Sequence, residues 1–310
     1  MTRRRPTARH RVLFLLVALA IGAAGSCRHR EPPPPLPALE SLVPVSVLRE
    51  HLRREEPPLV VDTRRPGDYG VGHLPGAVNL PLEDVGRVPD DGLDTATRDR
   101  LRGLLVDAGV RPGLPVIAVD EGSPRGFTRA ATLCWLLALA DHDDCHVLEG
   151  GVEAWGRARG RLVTARFVPV RPGMPPRIPA RPPAYAPFED LRRATAAPET
   201  AIVDVRDEAA PGGIPGSLRI PLPPVLSPGG MVDRARLARE AEAAGAYPET
   251  DLIVLGEDLP SGAAAWFLLE RVLGIHPARV YPGGFDRYLS WPFLPGATAD
   301  PPAGKRAAQP

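Results

Sequence analysis

Residues 59–81 read LVVDTRRPGDYGVGHLPGAVNLP, and this stretch decides the fold. It opens with an apolar, β-branched run at 59–61, which predicts a short buried strand that ends at Asp62. Pro-Gly pairs then predict turns before a second short strand at 77–80. A diverged copy, AIVDVRDEAAPGGIPGSLRIP, occupies residues 201–221. The chain therefore contains one structural unit twice.

Other landmarks of the two copies recur in the same order and at nearly constant spacing. Leu101 and Gly109, in a segment with helical periodicity, are matched by Leu237 and Gly245. Three short motifs are also duplicated: DTR at 62–64 as DVR at 204–206, LPG at 74–76 as IPG at 214–216, and LEGG at 148–151 as YPGG at 281–284. The register between the copies is therefore well defined.

The motifs DTR, GHLPGAVNLP and VLEGGVEAW, with an apolar strand, a short loop and a helix between the last two, resemble a rhodanese (thiosulfate sulfurtransferase) domain. Two such domains in tandem resemble the two-domain sulfurtransferases, and the resemblance covers about residues 43–293. It implies an α/β fold of two tandem rhodanese-like domains, each a mainly parallel sheet flanked by helices. The wholly apolar run at 115–119 agrees, because a strand without polar residues is expected at the centre of a covered sheet.

The sequence divides into six segments by composition and resemblance. They are a signal peptide with a lipobox-like end at 1–27, a Pro-rich spacer at 28–42, rhodanese-like domain 1 at 43–163, a Pro-rich linker at 164–184, rhodanese-like domain 2 at 185–294 and a disordered tail at 295–310.

Composition limits the possible functions. At 310 residues and 44% hydrophobic content, the chain can bury two cores of ordinary domain size. The formal net charge of +1 gives no electrostatic reason to expect a nucleic-acid partner. The sequence has no metal-ligand constellation, no phosphate-binding Gly-Lys-Ser/Thr motif and no serine triad pattern, so we expect no cofactor.

The first residues have the pattern of an export signal. Arginines precede an uncharged apolar run at 12–24, which is short for a membrane span because a span needs about 20 residues. The run ends in AGSC, which resembles a bacterial lipobox with Cys27 as the lipidated residue, although Ala24 stands where that pattern favours leucine. Ordinary cleavage nearby and an uncleaved anchor are the alternatives. Because no aspartate follows Cys27, the pattern favours periplasmic domains anchored to the outer membrane of a bacterial cell envelope.

The resemblance also identifies the positions where catalysis would occur. In active rhodaneses the loop after the central strand begins with a cysteine, whose thiolate is stabilised by converging backbone amides and takes up a sulfane sulfur. In the first domain this position is Asp120, and Arg125 lies near the end of the loop. The spacing between the copies places Gly256 at the equivalent position, with Ser261 where the first domain has Arg125. Neither Asp120 nor Gly256 can form a persulfide.

The two loops differ in charge, so cysteines introduced into them are expected to behave differently. At Asp120 a thiol would have Arg125 nearby, which would lower its pKa. At Gly256 it would lie beside Glu257 and Asp258, which would raise its pKa and repel an anionic sulfur donor.

Three polar residues of the opening motif suggest chemistry but are better explained by structure. His73 would be a candidate general base, and Asp62 and Arg64 a candidate ion pair. The turn that contains His73 is shared by rhodaneses regardless of activity. We therefore expect all three side chains to satisfy backbone groups or one another.

Three cysteines occur in the chain, and Cys27 belongs to the lipobox-like segment. Cys134 lies in an apolar helical run and Cys145 begins a strand, so we expect two inert, buried thiols. A disulfide between them in an oxidising periplasm is the alternative.

These observations predict an exported rhodanese-like protein that lacks sulfurtransferase activity and acts as a binding or scaffolding module. The alternative is a thiosulfate sulfurtransferase-type enzyme that transfers sulfane sulfur, which would require Cys134 or Cys145 to act from outside the loops. The expected partners are an unidentified protein or a small anionic ligand, and the membrane through Cys27, without nucleic acid.

Overall fold

Strands and helices alternate along the chain in a computed structural model, which describes residues 36–85, 87–165, 177–197, 199–207, 210 and 212–291. The elements of the first domain are β1 (Leu42–Val43), α1 (Val45–His51), β2 (Leu59–Asp62), α2 (Pro66–Val71), β3 (Val78–Asn79), α3 (Thr95–Asp107), β4 (Val116–Val119), α4 (Pro124–Leu139), β5 (Cys145–Leu148) and α5 (Gly151–Arg157).

The strands of the first domain form one parallel sheet in the order β1-β5-β4-β2-β3. The apolar β4 lies at its centre, and all four of its residues are buried. A strand without polar residues is stable there because helices cover both faces of the sheet. The predicted position of this strand is confirmed.

The second domain repeats this plan. Its elements are α6 (Phe188–Ala194), β6 (Ala201–Asp204), β7 (Leu218–Arg219), α7 (Arg234–Ala244), β8 (Leu252–Leu255), α8 (Leu259–Trp266), β9 (Ala278–Val280) and α9 (Gly284–Leu289). The parallel sheet has the order β7-β6-β8-β9, and Tyr185 forms a parallel bridge to Val280 where the first domain has β1. The predicted fold class, two tandem α/β domains with parallel sheets, is therefore confirmed.

An aspartate side chain caps each of two matching helices. The Asp94 side chain caps α3 by accepting the Thr97 N–H at 2.7 Å, and the Asp233 side chain caps α7 by accepting the Arg236 N–H at 2.9 Å. At the other end of α7, Gly245 adopts the left-handed conformation, with a φ of 84°, that ends many helices.

The two domains meet through α4 and α8, which pack directly against each other. Phe127 of α4 and Phe267, just beyond α8, make an edge-to-face contact with ring centroids 6.1 Å apart. A single hydrophobic cluster extends across both domains. This position explains why α4 is apolar on nearly all sides, since it lies between its own sheet and the second domain.

A buried carboxylate, Asp90, also joins the domains. Its Oδ2 atom accepts hydrogen bonds from the Tyr281 hydroxyl and from Arg287 Nε, both at 2.9 Å, and its carbonyl accepts the Phe188 N–H at 2.6 Å. Burial alone would raise the pKa of Asp90, but the hydrogen bonds from Arg287 and Tyr281 outweigh it and lower that pKa. All three donors belong to the second domain.

The described end of the linker packs against the domains. Ile178 and Ala184 are buried, and Trp135 of α4 donates its indole N–H to the Ala184 carbonyl at 2.8 Å. Arg177 and Arg181 are exposed. Residues 1–35, which include Cys27, residues 166–176 and residues 292–310 lie outside the described residues, and so do the predictions made for them.

None of the described helices is both long enough and apolar enough to cross a bilayer.

Cys134 in α4 and Cys145 at the start of β5 form a disulfide, with a Cα–Cα distance of 5.3 Å. The expectation of two free, inert thiols is therefore wrong, although both residues are buried as expected. Strand β5 lies beside β4 under α4, and this three-dimensional neighbourhood, which sequence spacing does not show, brings the two sulfur atoms together.

We expect the disulfide to stabilise the first domain. The loop it closes spans 11 residues, for which the chain-entropy model gives roughly 3 kcal/mol. Dithiothreitol should therefore lower the unfolding temperature of the wild-type protein and leave that of a Cys134→Ala/Cys145→Ala variant unchanged. Equal shifts in the two proteins, measured by circular dichroism, would contradict this stabilising role.

Candidate functional site

The two loops that would carry catalysis lie at equivalent places in the domains. Loop 1 (residues 120–123) connects β4 to α4, and loop 2 (residues 256–258) connects β8 to α8. Each leaves the carboxyl end of a central parallel strand and leads into a helix N-terminus, where backbone N–H groups favour an anion. Because α4 and α8 pack together, both loops face the same region between the domains.

Asp120 begins loop 1 and is only 2% exposed. Its Oδ1 atom accepts the Gly122 N–H at 2.5 Å, and among the described residues this is its one backbone donor. Burial raises the pKa of Asp120 to about 7; the hydrogen bond from Gly122 opposes this shift, and the charge of Glu121 adds to it. Near neutral pH the carboxyl is thus divided between its neutral and charged forms, rather than being held as a stable anion.

The side chains of Ser123 and Glu121 in loop 1 contact each other and the first two turns of α4. The Ser123 side chain caps α4 by accepting the Gly126 N–H at 3.0 Å and donates its own hydrogen to Glu121 at 2.7 Å. Glu121 also forms an ion pair with Arg129 on the next turn of the helix. Arg125 is exposed, and its guanidinium has no acidic partner in the described part of the chain.

In loop 2, the position that corresponds to Asp120 has no room for a side chain. A Cβ atom built on Gly256 would overlap Ser261 Oγ and lie 2.6 Å from the Gly262 nitrogen. Ser261 is held there by a capping box, in which Asp258 accepts the Ser261 N–H at 2.9 Å and the Ser261 hydroxyl accepts the Asp258 N–H at 3.1 Å. Loop 2 therefore lacks both a nucleophile and the space for one.

The loops also differ in where their helices start. Arg125 is the second residue of α4, whereas Ser261 is the third residue of α8. Helix α8 thus begins one residue earlier than the constant spacing between copies implies. This shift brings Ser261 over Gly256.

Glycines hold both loops in place. Gly151 has a φ of 54°, and a Cβ atom there would lie 2.6 Å from the Gly122 nitrogen; Gly284 has a φ of 70°, and a Cβ atom there would lie 3.2 Å from the Asp258 Cα atom. These positions need glycine because the loop backbone approaches so closely. The duplicated Gly-Gly motif in the sequence is therefore a packing feature beneath the loops.

The polar residues of the opening motif have structural roles, as predicted. Arg64 pairs with the buried Asp62 at 2.6 Å and donates to the Gly72 carbonyl at 2.8 Å. His73 stacks on Tyr69 with ring centroids 3.6 Å apart, and its nitrogens lie 2.8 and 3.1 Å from two carbonyl oxygens. Its ring therefore has no free nitrogen with which to act as a general base.

Loops 1 and 2 open into a cleft between the domains, with a volume of about 1230 Å³. The arginines that line it are Arg64, Arg65, Arg125, Arg129 and Arg206. Four of them are paired with acids: Arg64 with Asp62, Arg65 with Glu83, Arg129 with Glu121, and Arg206 with Asp204. On the opposite wall, Glu257 and Asp258 of loop 2 are exposed.

A turn of the second domain rests on loop 1, and no pattern in the sequence predicts this contact. Residues 227–231, SPGGM, form the turn between Leu226 and Val232, which pair in an antiparallel bridge. A Cβ atom on Gly230 would lie 2.9 Å from the Ser123 carbonyl oxygen, and a Cβ atom on Gly150 would lie 3.1 Å from Met231 Sδ. The Pro-Gly-Gly signal identifies a turn, but only the domain packing shows what it covers.

No group of three or more His, Cys, Asp or Glu side chains is positioned to hold a metal ion in the ranges that the structure describes.

The raised pKa of Asp120 predicts a specific pH dependence of stability. Because the folded-state pKa of about 7 lies above the ordinary aspartate value of 3.8, the stability that the protein has at low pH is lost as pH rises from about 4 to 7. Asp120→Asn, which keeps an acceptor for Gly122 but cannot ionise, should therefore gain stability relative to wild type across this range, by up to about 4 kcal/mol. Urea denaturation at a series of pH values measures this difference. Asp286→Asn, at an exposed position, is the control, and a parallel gain in that variant would contradict the assignment.

Comparison with known proteins finds sulfurtransferases among the relatives of this chain. The chain is 26% identical over 250 residues to a thiosulfate sulfurtransferase of Pseudomonas aeruginosa, a match that covers 76% of this chain and 90% of that protein. A thiosulfate sulfurtransferase of Corynebacterium glutamicum is 26% identical over 259 residues, covering 75% of this chain and 82% of that protein.

Two solved structures share the fold. A 3-mercaptopyruvate sulfotransferase of Escherichia coli matches with a TM-score of 0.64 at 23% identity, covering 79% of this chain and 99% of that one. The anaerobic ergothioneine biosynthesis enzyme of Chlorobium limicola matches with a TM-score of 0.69 at 20% identity, covering 84% and 71%. The family model for the rhodanese-like domain matches residues 45–158 and 188–290. With both domains matched, the chain belongs to the rhodanese-like family and carries its domain twice.

Proposed function

We propose that this protein is a tandem rhodanese-like binding or scaffolding module without sulfurtransferase activity. The observation that carries the proposal is that neither loop offers a nucleophile. Asp120 fills the position in loop 1 with a buried carboxyl, and Gly256 in loop 2 is covered by Ser261. A persulfide needs a thiolate at one of these positions.

The remaining cysteines support the same conclusion. Cys134 and Cys145 are buried and bonded to each other, so neither presents a thiolate to the cleft. Of the three cysteines in the sequence, this leaves Cys27, which lies outside the two rhodanese-like domains.

Several backbone N–H groups at both helix N-termini already bind side chains of the protein itself. In loop 1 the Gly122 amide binds Asp120 and the Gly126 amide binds Ser123. In loop 2 the Ser261 amide binds Asp258. A small anionic donor would have to displace these side chains before it could use the backbone donors.

The charges of the cleft favour a protein segment as its occupant. Arg125 on one wall and Glu257 on the other have no ionic partner in the described part of the chain, and both are exposed. A segment with an acidic and a basic side chain can pair with both, whereas a small anion can pair with Arg125 alone and is repelled by Glu257. A small anionic ligand is the competing occupant.

A thiosulfate sulfurtransferase is the second candidate function. The observation in its favour is the likeness to the thiosulfate sulfurtransferase of Pseudomonas aeruginosa over 76% of this chain. It would require a thiol freed from the disulfide to move from beneath α4 into the cleft.

A sulfur-transfer experiment distinguishes the two functions. Wild-type protein incubated with thiosulfate should accumulate no persulfide and transfer no sulfur to cyanide. Asp120→Cys places a thiol where the Gly122 amide can donate to a thiolate, but the burial that raises the pKa of Asp120 would also raise that of the thiol. We therefore expect a persulfide-specific reagent to label this variant weakly at neutral pH and more strongly as pH rises. The Cys134→Ala/Cys145→Ala variant should behave as the wild type does.

Persulfide on wild-type Cys134 or Cys145 that turns over with cyanide would refute the proposal. Gly256→Cys is not a matched comparison for Asp120→Cys, because its Cβ atom would overlap Ser261. We expect that variant to lose stability rather than gain reactivity, which a lowered urea midpoint would show.

We also propose that the protein is exported and anchored through a lipidated Cys27, with its domains in the periplasm. The support is the arginine-rich start, the uncharged run at 12–24 and the lipobox-like AGSC. Two or more acyl chains would give stable anchoring where one would not. Mass spectrometry of the native N-terminus should therefore find acylated Cys27 as the first residue. An unmodified peptide across Ser26 and Cys27 would contradict the anchor.

A further inference from the structure

A second large cavity lies in the first domain, at the end of the sheet opposite the cleft. The cleft borders the residues that follow β2 and β4, whereas this cavity borders the amino end of β2 at Leu59 and the approach to β4 at Leu114. We call it the amino-end cavity; its volume is about 1360 Å³. We propose that it binds an anionic amphiphile, a molecule with a phosphate or sulfate head and an aliphatic part.

The rim of the amino-end cavity is strongly basic. It carries two acids, Glu55 and Glu56, and five arginines: Arg49, Arg53, Arg111, Arg159 and Arg161. Arg49 is already used, since it donates to the Ala158 carbonyl and lies 5.2 Å above the ring of Trp155. Within the described ranges the other four guanidiniums have no acidic partner and make no side-chain hydrogen bond.

The unpaired guanidiniums indicate which head group the cavity would bind. A guanidinium is planar and weakly hydrated, and it donates two parallel hydrogen bonds to phosphate, sulfate or carboxylate. Four unpaired guanidiniums around one concavity also raise the local concentration of anions. The ligand is therefore an anion with several acceptor oxygens, which a phosphate or sulfate ester provides.

The floor of the cavity selects the rest of the ligand. It is formed by aliphatic and proline side chains, among them Leu52, Leu59, Leu114, Pro58 and Pro112. Trp155 is buried and covered by Arg49, so its ring is not free to stack on a base. An aliphatic chain fits this floor better than inorganic phosphate or a nucleotide base does.

The arginines are not explained by the fold alone. Helices α1 and α5 end at this cavity, and basic residues near helix C-termini are stabilised by the helix dipole. That accounts for Arg49, which binds the carbonyl of the residue that caps α5. It does not account for Arg111, because the second domain has Tyr247 at the equivalent place before the matching proline. The repeat shows that this edge folds without an arginine at that position.

Isothermal titration calorimetry of the purified protein tests the proposal with three probes. Hexyl phosphate should bind, inorganic phosphate should bind at least roughly tenfold more weakly, and hexyltrimethylammonium should not bind. An Arg111→Gln/Arg159→Gln variant should weaken hexyl phosphate binding by roughly tenfold or more. The matched control is Arg236→Gln/Arg239→Gln, which removes two exposed charges from α7.

Three results would overturn the proposal: no binding of hexyl phosphate, equal affinity for inorganic phosphate, or equal losses in the two arginine variants. Urea denaturation of both variants verifies that they fold, so a loss of binding can be assigned to the cavity. Sulfurtransferase activity plays no part in the measurement, so the result does not depend on what occupies the cleft.

Discussion

The packing of α4 against α8 is the constraint on which the rest of the structure depends. Each helix follows the loop at the end of a central strand, so their contact aims both loops into one cleft. It also requires both helices to be apolar on the faces away from their own sheets, because water is excluded on each side. Both the shared cleft and the single hydrophobic cluster across the two domains follow from this one contact.

The two repeats use different side chains to bind the backbone N–H groups at the start of α4 and α8. A helix that begins at the end of a parallel strand presents backbone N–H groups, and these need acceptors. Loop 1 supplies Asp120 and Ser123, and loop 2 supplies Asp258 with Ser261. In each case a side chain of the chain itself occupies a place where an external anion would bind.

Much of the fold could be predicted from local sequence, whereas several features of the site and of the contact between the domains could not. The central strands, the caps at Asp94 and Asp233 and the roles of Asp62, Arg64 and His73 depend on neighbours in the chain, and patterns reveal them. The disulfide depends on β5 lying under α4, which spacing does not determine. The closure over Gly256 depends on a one-residue shift in a helix start, and helix ends are the least predictable boundaries. The contact between the domains at Asp90 depends on partners that lie almost two hundred residues away in the sequence.

The contacts of Asp90 also bear on whether one repeat can fold without the other. The Asp90 side chain is buried, and both of its side-chain hydrogen-bond donors, Tyr281 and Arg287, belong to the second domain, whereas Arg87 of the first domain lies 3.7 Å away. A gene fragment encoding the first repeat alone would lose those donors and would leave the apolar face of α4 in water, which is strongly unfavourable. We therefore expect neither copy to fold stably on its own, so recombination would have to transfer the two together. The sequence displays two repeats, but the contact between them makes the pair one folding unit.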